Sequence, residues 1–198
     1  LGYDGSPLNG DTVFNELDGH SFQQELRLNG TAGMVDYTLG GFYFAQKNRN
    51  RNRVDIGYIG FPFDFISDEL ADSTTKAVFA HGVVHLTDQF NATVGIRYSD
   101  EKKSQLLGRL DPATGGNTPS PAFGLPGGYA PLVTFADTRV DYRVSLDYRF
   151  SDNFMVYATH STGYKNGGVS PRFFFTSHIL PYGVEEVKAY EVGFKSDL

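Results

Sequence analysis

The sequence predicts an all-β chain: part of a transmembrane, antiparallel, up-and-down β-barrel, with about seven strands of a larger barrel present. Three observations lead there. Runs of about ten residues alternate between apolar and polar side chains, the period of a strand rather than a helix. The connections between these runs are short and long by turns. The composition favours strands, with 17 Phe, 12 Tyr and 23 Gly among 198 residues.

Residues 1–20 are rich in Gly, Asp, Asn and Pro without a period, and read as loop. The first strand is expected at 21–28, where Phe22, Leu26 and Leu28 share a face with Gln24. After a turn at 29–33 a return strand covers 35–46; its central Gly-Gly and aromatic run leave its two faces undecided. Residues 47–74 read as a long connection, basic at Lys47, Arg49, Arg51 and Arg53, then aromatic, then acidic. Strands at 75–86 and 90–103 flank a short turn at 87–89. A second long connection, dense in Gly and Pro, covers 104–137.

The strictest alternation lies at 138–150. Val140, Tyr142, Val144, Leu146, Tyr148 and Phe150 fall on one face, and Asp141, Arg143, Ser145, Asp147 and Arg149 on the other. A polar turn at 151–153 leads to a strand at 154–165, a third long connection at 166–185, and a last strand from 186 onward. In an up-and-down sheet alternate connections lie at opposite ends, so one end is all tight turns and the other all long loops. Outer-membrane barrels are laid out this way, with short periplasmic turns, lipid against the apolar face and water against the polar one. On that reading the turn at 151–153 is periplasmic. A soluble sandwich or propeller also buries an alternating face, but gives no reason for every second loop to be long.

Composition excludes other classes. No apolar run is long enough for a membrane helix. A formal charge of -6 argues against a nucleic-acid partner. Without cysteine there is neither a disulfide scaffold nor a thiolate metal site, and no cofactor is expected. Leu1 rather than Met opens the chain and 193–198 still reads as strand, so a piece of a longer protein is expected.

With the strands placed, SFQQELRLNG, LGGFYF, LTDQF, VGIRYSDEKK, DYRFSDNFMVYATHSTGYKNGG and EEVKAYEVGFKSDL resemble, in order and spacing, the barrel of TonB-dependent outer-membrane receptors over nearly all of 20–198. The resemblance implies a plugged barrel of about 22 strands. It implies a TonB-binding box and energised uptake of a scarce small molecule: commonly a ferric siderophore, sometimes cobalamin, haem or a carbohydrate. The plug and box lie outside these residues, so the TonB complex would act through a missing N-terminal region. The implied location is the Gram-negative outer membrane, against its lipid and lipopolysaccharide. A passive porin or non-transporting barrel is the alternative.

Candidate chemistry is sparse. His81 and His85 are four apart, which on a strand separates them by about 13 Å, too far for one ion. His160, Ser161 and Asp147 lack a nucleophile-elbow context, so no enzyme is expected. Charges such as Glu25, Arg27, Arg97, Glu101, Asp141 and Lys195 are expected to line the lumen as cross-strand pairs. Substrate contact is better placed in the long loops. Arg49, Arg51 and Arg53 suit the phosphates of lipopolysaccharide or an anionic siderophore, or are simply solvated. Phe61, Phe63 and Phe65, with Phe173, Phe174, Phe175 and Tyr182, form an aromatic vestibule or pack the loops together.

Overall fold

The computed structural model describes residues 14–55, 64–115, 128–129, 132–169 and 180–197. Seven long strands form one antiparallel sheet: β1 (Asn15–Ala32), β2 (Val35–Asp55), β3 (Asp64–His85), β4 (Phe90–Leu110), β6 (Val133–Ser151), β7 (Phe154–Lys165) and β10 (Glu185–Ser196), each beside its sequence neighbour. A two-residue β5 (Gly128–Tyr129) adds to the end of β4, and β8 (Gly168–Val169) pairs with β9 (Pro181–Tyr182). The sheet is open, with β1 and β10 at its edges.

The tight turns fall at one end, as the sequence predicts. Gly33-Met34 joins β1 to β2, with Gly33 at φ 61°, a backbone conformation glycine adopts without a Cβ clash. Residues 86–89 join β3 to β4, where Thr87 Oγ1 accepts the N–H groups of Gln89 and Phe90. Asp152-Asn153 joins β6 to β7.

At the other end the strands run past their predicted limits. Residues 47–55 and 64–74, expected as connection, are paired strand from Lys47↔Asp72 up to Asp55↔Asp64. β4 likewise continues to Leu110, and β6 begins at Val133 rather than 138. These extensions are polar on both faces or apolar on the wrong one, so they carry no alternation. Between β2 and β3 the ladder is closed by the cross-strand pairs Arg49–Asp68 and Arg53–Asp64 instead.

One face of the sheet carries the apolar side chains to the outside. Leu26, Leu28, Leu39, Val78, Val94, Ile96, Val144, Leu146, Val192 and Phe194 are all exposed. An aromatic row bounds this band at the tight-turn end, running Phe90, Tyr148, Phe150, Phe154, Phe194 with ring centroids 4.7–6.3 Å apart. Towards the other end Tyr142, His160 and Tyr190 form a second aromatic group, His160 stacked 4.4 Å from Tyr190. Rings at both margins of an outward apolar band are the girdles of a membrane barrel.

The band cuts across the hydrogen-bonded rows. Phe22 belongs to it on β1, but the row through Phe22 passes Ala45 and Thr74 to reach Lys102 on β4, above the band. The row from Phe194 through Val156 and Tyr148 to Phe90 instead stays at the band's lower margin, so the shift lies among β1 to β4. A flat membrane that slides along successive strands in this way requires the strands to be tilted, as barrel closure demands.

The other face is polar. At its tight-turn end a hydrogen-bonded belt crosses five strands: Thr31 Oγ1 donates to Asp36 (2.7 Å), His85 bridges Asp36 (2.9 Å) and Asn91 (2.8 Å), and Asn91 Nδ2 donates to Asp147 (2.9 Å). Higher up, Arg97 lies between the rings of Phe42 (5.2 Å) and Phe79 (5.9 Å). The ambiguous Gly-Gly pair is resolved by its register. Gly40 lies opposite Phe79, whose ring would meet a Cβ there at 2.2 Å, so this glycine seats the ring on the polar face. Gly41 faces outward, where a Cβ would meet nothing within 4 Å.

Candidate functional site at the outer rim

The strand extensions carry β2, β3 and β4 beyond the apolar band and build a rim. On its outward side Arg49 grips Asp68 with two parallel bonds, Nε to Oδ1 at 2.8 Å and Nη2 to Oδ2 at 2.6 Å. Tyr129 donates its hydroxyl to the same Oδ2 at 2.7 Å. Arg51 lies 3.9 Å from Asp68 and 3.6 Å from Glu16. Asp68 is fully buried at 0% exposure. Gly108, directly opposite it on β4, is where Tyr129 lies down; a Cβ there would come within 2.5 Å of the ring. Burial pushes the Asp68 carboxyl up, but the bonds from Arg49 and Tyr129 and the Arg charges outweigh it and hold its pKa below the ordinary value. Burial, and then the bond to Asp68, raise the Tyr129 phenol. A second two-bond pair, Arg53 to Asp64 at 2.8 and 2.7 Å, closes the hairpin higher up.

On the inward side the rim holds a small core of Phe65, Leu107 and Val169, all nearly buried. Arg109 lies over the Phe65 ring at 3.9 Å. Gln105 donates to Glu69 (3.1 Å) and accepts the Val169 N–H (3.1 Å), tying β8 to β4. Glu101 accepts from the Tyr164 hydroxyl (2.7 Å) and from Asn166 (2.9 Å), which holds the end of β7 over the sheet. Tyr182 lies across Gly168, where a Cβ would meet its hydroxyl at 2.6 Å, and remains 43% exposed.

The site residues named from sequence thus fare differently. Arg49, Arg51 and Arg53 stand on strand β2, on the face of Leu39 and Tyr43, each beside a carboxylate. Tyr182 is on β9 and exposed, whereas Phe65 is a core residue. Phe61, Phe63, Phe173, Phe174 and Phe175 lie outside the described residues. Sequence reasoning missed Asp68, Tyr129 and Gln105, whose partners are 19 to 64 residues away. Among the described residues no cluster of three or more His, Asp or Glu could hold a metal. His85 is spent on Asp36 and Asn91, and His160 bonds the Tyr142 hydroxyl at 3.0 Å while Asp147 serves Asn91, so no triad forms.

An outward apolar band, aromatic girdles, tight turns at one end and a built rim at the other define a membrane-barrel wall. The family profile described as TonB dependent receptor-like, beta-barrel, matches residues 2–198. The chain belongs to that family. Barrels of this family sit in the Gram-negative outer membrane, which fixes the tight turns as periplasmic and the rim as extracellular. The crystal structure of the ferric yersiniabactin uptake receptor FyuA from Yersinia pestis shares the fold, at TM-score 0.75 and 22% identity over 93% of this chain. The alignment covers 27% of FyuA, so the chain spans about a quarter of that receptor's length. No curated protein matches the chain by sequence.

Proposed function

We propose that this chain is one part of the wall and outer rim of an energised uptake receptor, which imports a ferric siderophore or a similarly scarce small molecule with energy from the TonB complex. The observation that carries the reading is the rim. Inward-facing Gln105, Glu101 and Tyr164 hold β7 and β8 over the polar face, and this places the exposed Tyr182 above it. Tyr182 supplies an aromatic surface with a hydroxyl for a planar, chelating ligand. Phe61, Phe63 and Phe174 belong to the same proposed vestibule by sequence. Arg49, Arg51 and Arg53 face away from the lumen, which favours lipopolysaccharide over substrate as whatever they meet.

The test is growth and uptake in the host. Deleting the gene abolishes accumulation of one class of iron chelate under iron limitation, and loss of TonB function has the same effect. Uptake that survives loss of TonB would instead mark a passive pore. A Tyr182→Ala substitution raises the concentration needed for half-maximal uptake without lowering receptor abundance.

A further inference from the structure

The wall splits between β6 and β7. Their ladder stops at Arg143↔Ser161, at the height of the upper aromatic group. The neighbouring ladders continue: β10 stays with β7 as far as Glu185↔Lys165, and β6 stays with β4 up to Gln105↔Val133. Residues 133–142 of β6 therefore have β4 on one side and, among the described residues, no strand on the other. The cause lies on the inner face. Tyr164 and Asn166 are bound to Glu101, and the Val169 N–H to Gln105, all on β4. To reach them the end of β7 crosses over β6, and β10 goes with it. Arg139 of β6 stacks on the Tyr164 ring at 5.8 Å and pairs with Glu186 on β10.

The direction of the free edge is fixed by Tyr142. Its N–H points to the β7 side, where it donates to Thr162 Oγ1 at 3.0 Å rather than to a backbone carbonyl. Alternate residues of a strand turn their N–H and C=O to the same side. Thr134, Ala136, Thr138 and Val140 thus aim theirs at the open side, and all four are exposed. The stretch carries neither lysine nor proline, which commonly guard an exposed edge. Its charges lie on the other face, where Asp137 and Arg139 are paired with each other at 2.6 Å.

A cavity of about 130 Å³ lies at the base of the fork, between residues 139–141, 162–164 and 186–188. Gly163 leaves room there, since a Cβ would meet nothing within 4 Å. Arg139 is held by Asp137 and Glu186, and Lys188 is exposed. Asp141 meets the Thr162 hydroxyl at 3.2 Å and forms no ion pair among the described residues. It is the carboxylate of this cavity that lacks a cation.

We propose that the free edge of β6 takes up an extended segment of a secreted polypeptide as an added antiparallel strand, with a basic residue at its leading end on Asp141. β6 descends from the rim, so an antiparallel strand beside it climbs from the cavity and its N-terminal end lies at Asp141. The edge-directed N–H and C=O groups supply the affinity. The exposed row of Thr134, Thr138 and Val140 favours β-branched side chains opposite. A second copy of the receptor does not fit. Two barrels upright in one membrane run their β6 strands the same way, which excludes antiparallel pairing of the two edges. The inference rests on the wall's orientation in the outer membrane, and not on what the barrel imports.

The test uses the intact receptor, purified from outer membranes in mild detergent, and a C-terminally labelled peptide, KVTVSVTV, followed by fluorescence anisotropy. The wild type binds it saturably. N-methylating one alternate set of the peptide's amides abolishes binding, whereas methylating the other set leaves it, because only one set faces the edge. Thr138→Pro removes an edge donor that β4 does not use and weakens binding at least about tenfold. Thr138→Val, which keeps the backbone donor, binds as the wild type does. Asp141→Asn weakens the Lys-led peptide but not one led by acetylated Leu. No binding to the wild type would overturn the proposal, as would equal binding of the two methylated peptides or undiminished binding to Thr138→Pro. Equal loss of both peptides in Asp141→Asn would overturn the assigned direction of the strand. Heat-modifiable migration is scored for every variant, and the methylated peptides decide on the wild type if Thr138→Pro fails to fold. Absence of that migration in the wild type would refute the barrel reading itself.

Discussion

At the scale of single residues, the rim turns on Asp68. It is a carboxylate with 0% exposure, held by Arg49, Tyr129 and the nearby Arg51. Replacing it with Asn keeps the shape but removes the charge that Arg49 faces, at a cost of about 1–3 kcal/mol, most of it from leaving a donor poorly satisfied. Tyr129→Phe forfeits only the hydroxyl bond, about 1 kcal/mol. Amide hydrogen exchange along β2 and β3 above Lys47 is the measurement: protection there falls in both variants, more in Asp68→Asn, and is unchanged below the girdle. The pH dependence has a definite sign. Because the folded pKa lies below the ordinary aspartate value, the stabilisation is complete above the unfolded carboxyl's range and is lost only as pH falls through the folded pKa. Rim protection is therefore flat from neutral pH to pH about 5 and collapses only in stronger acid. A loss of protection near pH 6 would mean that another group holds the rim. None of this was legible in the sequence, where Asp68 is one of several acids in an apparently solvated stretch, because its significance comes from partners that the ladder brings together.

At the scale of strands, the sequence was readable where lipid forces it to be. Between the girdles each strand must present apolar groups to one solvent and polar groups to another, so β6 alternates from Val140 to Phe150 and its faces and turn were read directly. Beyond the band water lies on both sides, the constraint lapses, and residues 47–55 and 64–74 looked like loop although they are paired throughout. The Gly-Gly pair in β2 hid the faces for a different reason: one glycine is covered by Phe79 and the other is open. The face assignment of β6 is testable. Val144→Lys places a charge in lipid near the middle of the band and costs about 2–4 kcal/mol in a complete barrel. Ser145→Lys on the opposite face is not silent, since Ser145 Oγ bonds Thr159 Oγ1 at 2.7 Å. The loss is nonetheless limited to about 1 kcal/mol for that bond. Urea titration of the intact barrel folding into vesicles separates the two, and a larger cost at Ser145 would reverse the faces.

At the scale of the whole molecule, the open sheet sets what these residues can do alone. Among the described residues β1 is paired only with β2, and β10 only with β7. Each edge strand offers a row of N–H and C=O groups, 18 residues long on β1 and 12 on β10. In water those groups are solvated, but in hydrocarbon each unsatisfied one costs several kcal/mol. Even a few such groups within the band exceed the about 5–15 kcal/mol by which a typical domain is stable. The outward apolar side chains drive the sheet towards lipid while its edges forbid it to stay there unpaired. Residues 1–198 expressed alone with an export signal are therefore expected to aggregate or be degraded in the periplasm, giving no heat-modifiable band in the outer membrane. Protease accessibility and migration of boiled and unboiled samples read the outcome. A stable, heat-modifiable species would show that the edges had found partners, either each other or further copies of the same sheet. Cross-linking between β1 and β10 through single cysteines at Gln24 and Val192 would then distinguish a ring closed within one chain from one closed between chains.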